Sequence, residues 1–198
     1  MFGRSLKWRP MAPGHTGDQG AAMKDIFNMI PAQEGVGAIK RGEGKPFDLG
    51  PVHFKWKVRG EDSAHTYTMF ELNLAPGGGV DLHCHSCPET YYVLEGEVTF
   101  FHITNGEQET LVCDEGTTVM IPPNALHALF NKGHNHCRLL DVSTATHQYF
   151  FDSVAKADQQ ENFGSLEPNT VFRRLSEIAR DNEMYLAPYD VNTGMEVK

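Results

Sequence analysis

The stretch that decides the fold runs from Gly77 to Gly96 and reads GGGVDLHCHSCPETYYVLEG. Side chains on a β-strand alternate between two faces, so His83 and His85 point the same way. A short turn at 86–88 follows, and Glu89 comes directly after it. Two imidazoles and a carboxylate that converge in this way predict a site for one metal ion.

A second stretch, from Gly116 to Asn131, supplies another histidine, His127. Together the two stretches resemble the paired motifs of the cupin superfamily, Gly-x5-His-x-His-x3-Glu-x6-Gly and Gly-x5-Pro-x-Gly-x2-His-x3-Asn. The departure is Asn124, which stands where the second motif has a glycine. Asparagine tolerates the left-handed backbone better than most residues, so the turn is still expected.

The resemblance implies an all-β fold, a cupin barrel of the double-stranded β-helix or jelly-roll type, with C-terminal helices and an N-terminal extension. It also implies that one divalent transition metal ion (Fe, Mn, Ni, Cu or Zn) is bound by His83, His85, Glu89 and His127, with Glu89 as the catalytic acid/base. Three imidazoles and one carboxylate do not select strongly among these metals. Four protein ligands leave one or two coordination positions open, as catalytic sites require.

A finer resemblance concerns the type of cupin. The segments 57–63, 70–74, 92–98 and 148–152 are similar to single-barrel cupins of the bacterial quercetin 2,3-dioxygenase kind. Those enzymes insert O2 into a flavonol ring. The implied function is a quercetinase-like dioxygenase that acts on a small oxygen-bearing substrate, such as an aromatic or flavonol-like molecule.

Two other functions fit the same motifs. One is a metal-dependent isomerase, lyase or decarboxylase of a sugar or organic acid, which needs a Lewis acid but no O2. The other is a non-catalytic small-molecule-binding protein. Mainly apolar inward positions favour oxygenation. The residues expected to line the substrate pocket are Tyr67, Met69, Tyr91, Phe101, Met120, Leu129 and Phe130.

Composition excludes several partners. The chain has 198 residues, a net charge of −9 and no basic run, which argues against nucleic-acid or anionic-membrane surfaces. Without a membrane-length apolar run or a secretory signal, the expected location is the cytoplasm. The family resemblance also implies a homodimer, for which the N-terminal arm and an outer strand over 52–58 are the candidate contacts.

The four cysteines are expected to be reduced thiols, since nothing indicates an oxidising compartment. Cys84 and Cys87, with His134, His136 and Cys137 downstream, leave open a rival structural zinc site. Strand alternation turns Cys84 away from His83 and His85, so both sites cannot share one ion. Single histidines are more often hydrogen-bonded than metal-bound, and on this ground five are set aside: His15, His53, His65, His102 and His147. His134 and His136 are expected in a solvated turn.

The pattern along the chain predicts a flexible arm over 1–22, with Met23 as an alternative start, a barrel over 23–147 and a helical extension over 148–198. A short helix is expected over 24–30, followed by a glycine-rich link through Gly50. Strands are expected over 52–58, 66–74, 91–94, 98–103, 111–113, 117–121, 127–130 and 137–144, with a hairpin at 95–97. Asn169 is expected to cap a helix with Val171, Phe172, Leu175, Ile178 and Ala179 on one face. Whether the two C-terminal helices pack outside the barrel, across its mouth or on another subunit stays open.

Overall fold

The computed structural model describes residues 36–49 and 52–188. The helix expected over 24–30, the arm over 1–22 and the start at Met23 lie outside the described residues. All strands and helices below belong to one compact unit that begins at Ile39.

Eleven strands in the described residues form two antiparallel sheets, and two helices follow the tenth strand. The strands are β1 Lys45–Leu49, β2 Val52–Val58, β3 Tyr67–Leu74, β4 Gly79–His85, β5 Glu89–Glu95, β6 Glu97–Thr104, β7 Glu107–Asp114, β8 Thr118–Ile121, β9 Leu126–Phe130, β10 Cys137–Thr144 and β11 Met184–Leu186. One sheet has the order β1-β2-β3-β10-β5-β8 and the other the order β11-β4-β9-β6-β7. The predicted all-β jelly-roll barrel with C-terminal helices is confirmed.

The core lies between the two sheets. Alternating residues of β2 and β3, such as Trp56, Phe70 and Leu72, meet inward residues of the other sheet, such as Phe100 and Leu129. These five side chains are all less than 5% exposed. Their burial fixes the strand register, because a slip by one residue would turn each apolar side chain outward.

The predicted strands exist, with two differences in how they connect. The link expected through Gly50 contains β1, which pairs antiparallel with β2 and covers the strand that was expected to lie at the edge. The hairpin expected at 95–97 is wrong, because β5 and β6 belong to different sheets. Gly96 has φ +80°, and this left-handed conformation lets the chain turn from one sheet to the other.

Two asparagines adopt the backbone that their turns require. Asn105 and Gly106 have φ of +54° and +82° and join β6 to β7 in a tight hairpin. Asn124, in the position of the motif glycine, has φ +65°, so the expectation that it takes the left-handed conformation is confirmed. Its backbone N–H donates to the carbonyl of His85 over 2.7 Å, which ties the β8–β9 turn to β4.

The C-terminal helices are α1, Ala145–Glu161, and α2, Pro168–Asp181. α1 follows β10 without a break and packs against β3 and β10. α2 begins with Pro168 in its first turn rather than with the expected cap at Asn169, because proline pre-sets the helical φ there. Both helices contribute side chains to the wall of a cavity that residues of both sheets also line. Within the described residues, neither helix is long and apolar enough to cross a membrane.

Candidate metal centre

The centre is built from both sheets. β4 carries His83 and His85, β9 carries His127, and His83 pairs directly with His127 across the ladder. Glu89 is the first residue of β5 in the other sheet. Glu89 Oε2 lies 3.2 Å from Nε2 of His85 and 3.2 Å from Nε2 of His127. One ligand atom from each of the four residues lies within 4.8 Å of all the others, and all four residues are buried.

Backbone carbonyls orient the three imidazoles. In each ring Nδ1 donates to a backbone carbonyl. His83 donates to Asp81 over 2.7 Å, His85 to Cys87 over 2.8 Å and His127 to Ala125 over 2.9 Å. A carbonyl only accepts hydrogen bonds, so each Nδ1 carries a hydrogen, which leaves Nε2 as the ring nitrogen that can bind a metal. At 3.2 Å from Glu89 Oε2, Nε2 of His85 and of His127 can each carry either a proton that donates to the carboxylate or a metal ion. This donor set therefore fits a divalent transition metal ion.

Electrostatics inside the barrel favour a cation. Burial lowers the pKa of His83 well below its ordinary value, and neighbouring His127 and His85 lower it further. Burial alone would raise the pKa of Glu89, but hydrogen bonds from His127 and His85 outweigh it and hold that pKa well below the usual range. Burial lowers the pKa of His85, yet its hydrogen bonds to Cys87 and Glu89 raise it to about 10. Glu89 is thus a buried anion, which a cation in the centre would stabilise.

A cavity of about 420 Å3 opens beside the centre, and His83 and Glu89 form part of its wall. Its other walls are mostly apolar and come from both sheets and both helices. The aromatic members are Phe54, Phe70, Tyr91, Phe130, Phe150, Phe151 and Phe172. The volume is in the range of sites that bind drug-sized molecules.

Comparison with protein families decides the type of barrel. A family model for the cupin domain matches residues 70–143, a range that contains all four residues of the centre. Residues 70–143 therefore match the cupin domain.

Among curated proteins, the chain is similar over 104 residues to mannose-1-phosphate guanylyltransferase RfbM of Salmonella typhimurium, with 30% identity. That alignment covers 52% of this chain but only 20% of the relative, so the chain spans about a fifth of the relative's length.

Solved structures with a similar fold include the polyketide cyclase RemF from Streptomyces resistomycificus, with 21% identity and a TM-score of 0.49 over 56% of this chain and 80% of that one. A predicted oxalate decarboxylase from Thermotoga maritima has 22% identity and a TM-score of 0.49 over 55% and 98% of the two chains. At this level of similarity, neither structure indicates an activity for this chain.

Three further polar residues lie close to Glu89, and the sequence did not single them out as a group. Tyr91 on β5, Asp141 on β10 and His147 on α1 are all buried. Nδ1 of His147 lies 3.5 Å from Glu89 Oε1. Burial, followed by the charge of Glu89, raises the pKa of Asp141 well above its usual value, and burial lowers the pKa of His147 to about 4.

His147 corrects a sequence-based interpretation, because this histidine was set aside as an ordinary one. It lies outside the matched cupin region, in the first turn of α1, and is only 4% exposed. The sequence signal that could have found it is its position just after β10, in the first turn of the helix that follows.

Other residues set aside do lie away from the centre. His53 is exposed and pairs with Asp48, while His102 lies near Glu109. His65, His134 and His136 are exposed, and His15 lies outside the described residues.

Two of the seven residues expected to line the pocket do so. Tyr91 and Phe130 line the cavity, whereas five others do not: Tyr67, Met69, Phe101, Met120 and Leu129. Met120 is 77% exposed, because Val119 and Ile121 are the inward residues of β8. On β3 the inward face holds Phe70 and Leu72, so Tyr67 and Met69 face outward.

Phe101 and Leu129 are buried but lie elsewhere. Phe101 packs with Leu82 and Ala128 in a separate apolar cluster, and the Lys132 ammonium lies 4.7 Å from its ring centre. Leu129 belongs to the main core between the sheets. Burial on a strand therefore did not identify the residues that face the cavity.

The rival zinc site does not form in the described residues. The clusters there that are close enough to hold a metal are the four-residue centre and the group Glu89, Asp141 and His147, and neither includes a cysteine. All four cysteines are free thiols.

Proposed function

We propose that the protein is a metal-dependent cupin enzyme, and that its reaction is a quercetinase-like dioxygenation of a small, mainly apolar, oxygen-bearing aromatic molecule. The observation that carries this proposal is the junction of the centre with the cavity: His83 and Glu89 form part of the wall of a chamber that is otherwise mostly apolar and includes seven phenylalanine or tyrosine rings. A substrate in the chamber would lie against the proposed metal ligands.

The proposed roles differ between the three histidines and Glu89. His83, His85 and His127 would hold the ion through Nε2, in the orientation that their Nδ1 hydrogen bonds fix. The ion would act as a Lewis acid that lowers the pKa of a substrate hydroxyl. Glu89 would be both a ligand and the acid/base, since its carboxylate is an anion beside the cavity.

The cavity walls favour an aromatic substrate over a sugar or an organic acid. Phe70 and Phe151 pack edge to face, with ring centres 5.7 Å apart, and both line the cavity. The described lining contains no lysine or arginine to bind a carboxylate or phosphate. Flat apolar ligands gain the most from such walls, because they replace water against aromatic surface.

The experiment that tests the proposal is turnover under 18O2 with a panel of flavonols and other enolizable aromatics, using metal-loaded protein. Consumption of O2 with two labelled oxygen atoms in the product supports dioxygenation. Metal-dependent conversion without O2 uptake would replace it by an isomerase, lyase or decarboxylase function. Ligand binding without any conversion would replace it by a binding function.

Assembly and location remain predictions. The homodimer was expected to use the strand over 52–58, but β1 lies outside that strand and pairs on one side only within the described residues. Proline at position 46 removes one backbone donor from β1, which disfavours pairing at this edge. Light scattering of the purified protein would give the oligomeric state. The cytoplasmic location is likewise a proposal.

A further inference from the structure

We propose that His147 is a positioning residue that holds the outer oxygen of Glu89, Oε1, while the histidines of the centre face Oε2. This inference rests on the proposed function, in which Glu89 binds the metal. It assigns a role to a residue of helix α1, outside the matched cupin region. The C-terminal extension would thereby contribute to the centre as well as to the cavity walls.

The first support is unused hydrogen-bonding capacity beside Glu89. In the described part of the chain, four buried side-chain atoms lack a hydrogen-bond partner: Nδ1 of His147, Oδ1 and Oδ2 of Asp141, and Nε of Arg138. Three of the four therefore lie in the group formed by Glu89, Asp141 and His147. Buried polar atoms are rarely left unpaired, so an unpaired Nδ1 beside Oε1 points to an interaction of His147 with that oxygen.

The second support is distance. Nδ1 of His147 lies 3.5 Å from Oε1 of Glu89, a few tenths of an ångström beyond a normal N–H···O bond. Hydrogen bonds in catalytic sites are often long before the ligand binds and shorten afterwards. The ring of His147 also lies 4.9 Å from that of His85, so it packs directly on the centre.

The third support is the anchoring of the first turn of α1. Gln148, next to His147, accepts a buried hydrogen bond of 2.7 Å from the backbone N–H of Gly60. Its amide nitrogen donates to Glu61 and Asp152 over 3.0 Å each. These bonds fix the helix start against the 3-10 turn at Gly60–Ser63, so the backbone of His147 is held in place. A residue that positions another must itself be fixed.

The test compares two substitutions at this position in the full-length protein, loaded with Co2+ as the probe. His147→Phe keeps a flat ring but removes both nitrogens, whereas His147→Gln retains an amide that can donate to Oε1. Val154→Ala is the control, since Val154 is buried in the same helix but does not line the cavity. The readouts are Co2+ affinity, by competition with a chelator, and the visible absorption of bound Co2+, which reports its ligand geometry.

We expect His147→Phe to weaken Co2+ binding about tenfold or more and to change the absorption spectrum, as the loss of a residue that orients a metal ligand does. His147→Gln should restore most of the affinity. Val154→Ala should lower stability without changing the spectrum. An unchanged affinity and spectrum in His147→Phe would overturn the inference.

Two further outcomes separate the inference from the proposed function. If wild-type protein binds two Co2+ ions and His147→Phe loses one of them, the unpaired atoms hold a second cation and the positioning role is wrong. If Glu89→Gln and His127→Ala bind Co2+ as tightly as wild type, the proposed centre itself fails. Failure of the centre would appear in those two variants, whereas failure of the inference appears at position 147 alone.

Discussion

Nε2 of His127 lies 3.2 Å from Oε2 of Glu89, although the two residues are 38 positions apart and belong to different sheets. The centre forms only when the sheets pack face to face over their shared core, which includes Val93 and Leu139. Metal binding by this centre would therefore be coupled to barrel formation, because the unfolded chain cannot present the four side chains together.

Metal should therefore stabilise the barrel. An ion that binds only the native state at about 100 times its Kd adds roughly 2.7 kcal/mol to the free energy of unfolding. Urea denaturation with Mn2+ or Co2+, and again with a chelator, measures this difference. Identical midpoints under both conditions would contradict the coupling.

The substitution Glu89→Gln tests separately whether Glu89 is a metal ligand and whether it is the acid/base. The amide keeps an oxygen for the ion, so this variant should retain metal better than an alanine substitution at a centre histidine. Turnover should fall by about 100-fold or more, because the amide cannot exchange a proton. Metal content and turnover are measured on the same sample, and wild-type turnover would remove Glu89 as the acid/base.

The sequence predicted the convergence of His83, His85, Glu89 and His127 better than the cavity lining, for a physical reason. Ligands must come from fixed places on paired strands, so motif spacing carries their geometry. Cavity walls depend on which strand face points inward, and this is ambiguous where both faces are buried. On β3, Glu71 is buried on the face opposite Phe70, where it pairs with Lys57 and Arg138 over 3.2 Å each.

His147 shows another limit of prediction from sequence. Its place depends on the exact start of α1 and on the side of the barrel that the helix covers. The anchor formed by Gln148 and Gly60 joins residues 88 positions apart, which no local pattern reveals. The paired strands, by contrast, could be predicted from the alternation of apolar and polar residues and from the turn residues between them.

The anchor of α1 predicts a measurable loss of stability. Gln148→Leu leaves the Gly60 N–H buried without its partner, which should cost about 2 kcal/mol in the free energy of unfolding. Gln159→Leu makes the same change at an exposed position of the same helix and should cost less than about 0.5 kcal/mol. Chemical denaturation of both variants measures the difference, and equal stabilities would contradict the role of the anchor.

Thiol reactivity provides a separate check of the fold. Cys84 is partly exposed, whereas Cys87, Cys113 and Cys137 are buried. Burial, with a smaller contribution from Glu97, raises the pKa of Cys137 to about 11, so at pH 8 this thiol stays protonated and unreactive. A disulfide reagent should label Cys84 first in native protein and all four cysteines after denaturation. Fast labelling of Cys137 in the native state would contradict the barrel core.

The most direct test of the central claim is metal content per chain, by elemental analysis of untagged wild type, His83→Ala, His127→Ala and the control His53→Ala. His53 is exposed, lies on β2 and is not part of the centre. The account predicts one transition metal ion per chain in wild type and His53→Ala, and at least about a tenfold loss in the other two. Full occupancy in both His83→Ala and His127→Ala, or no metal in wild type after reconstitution, would contradict it.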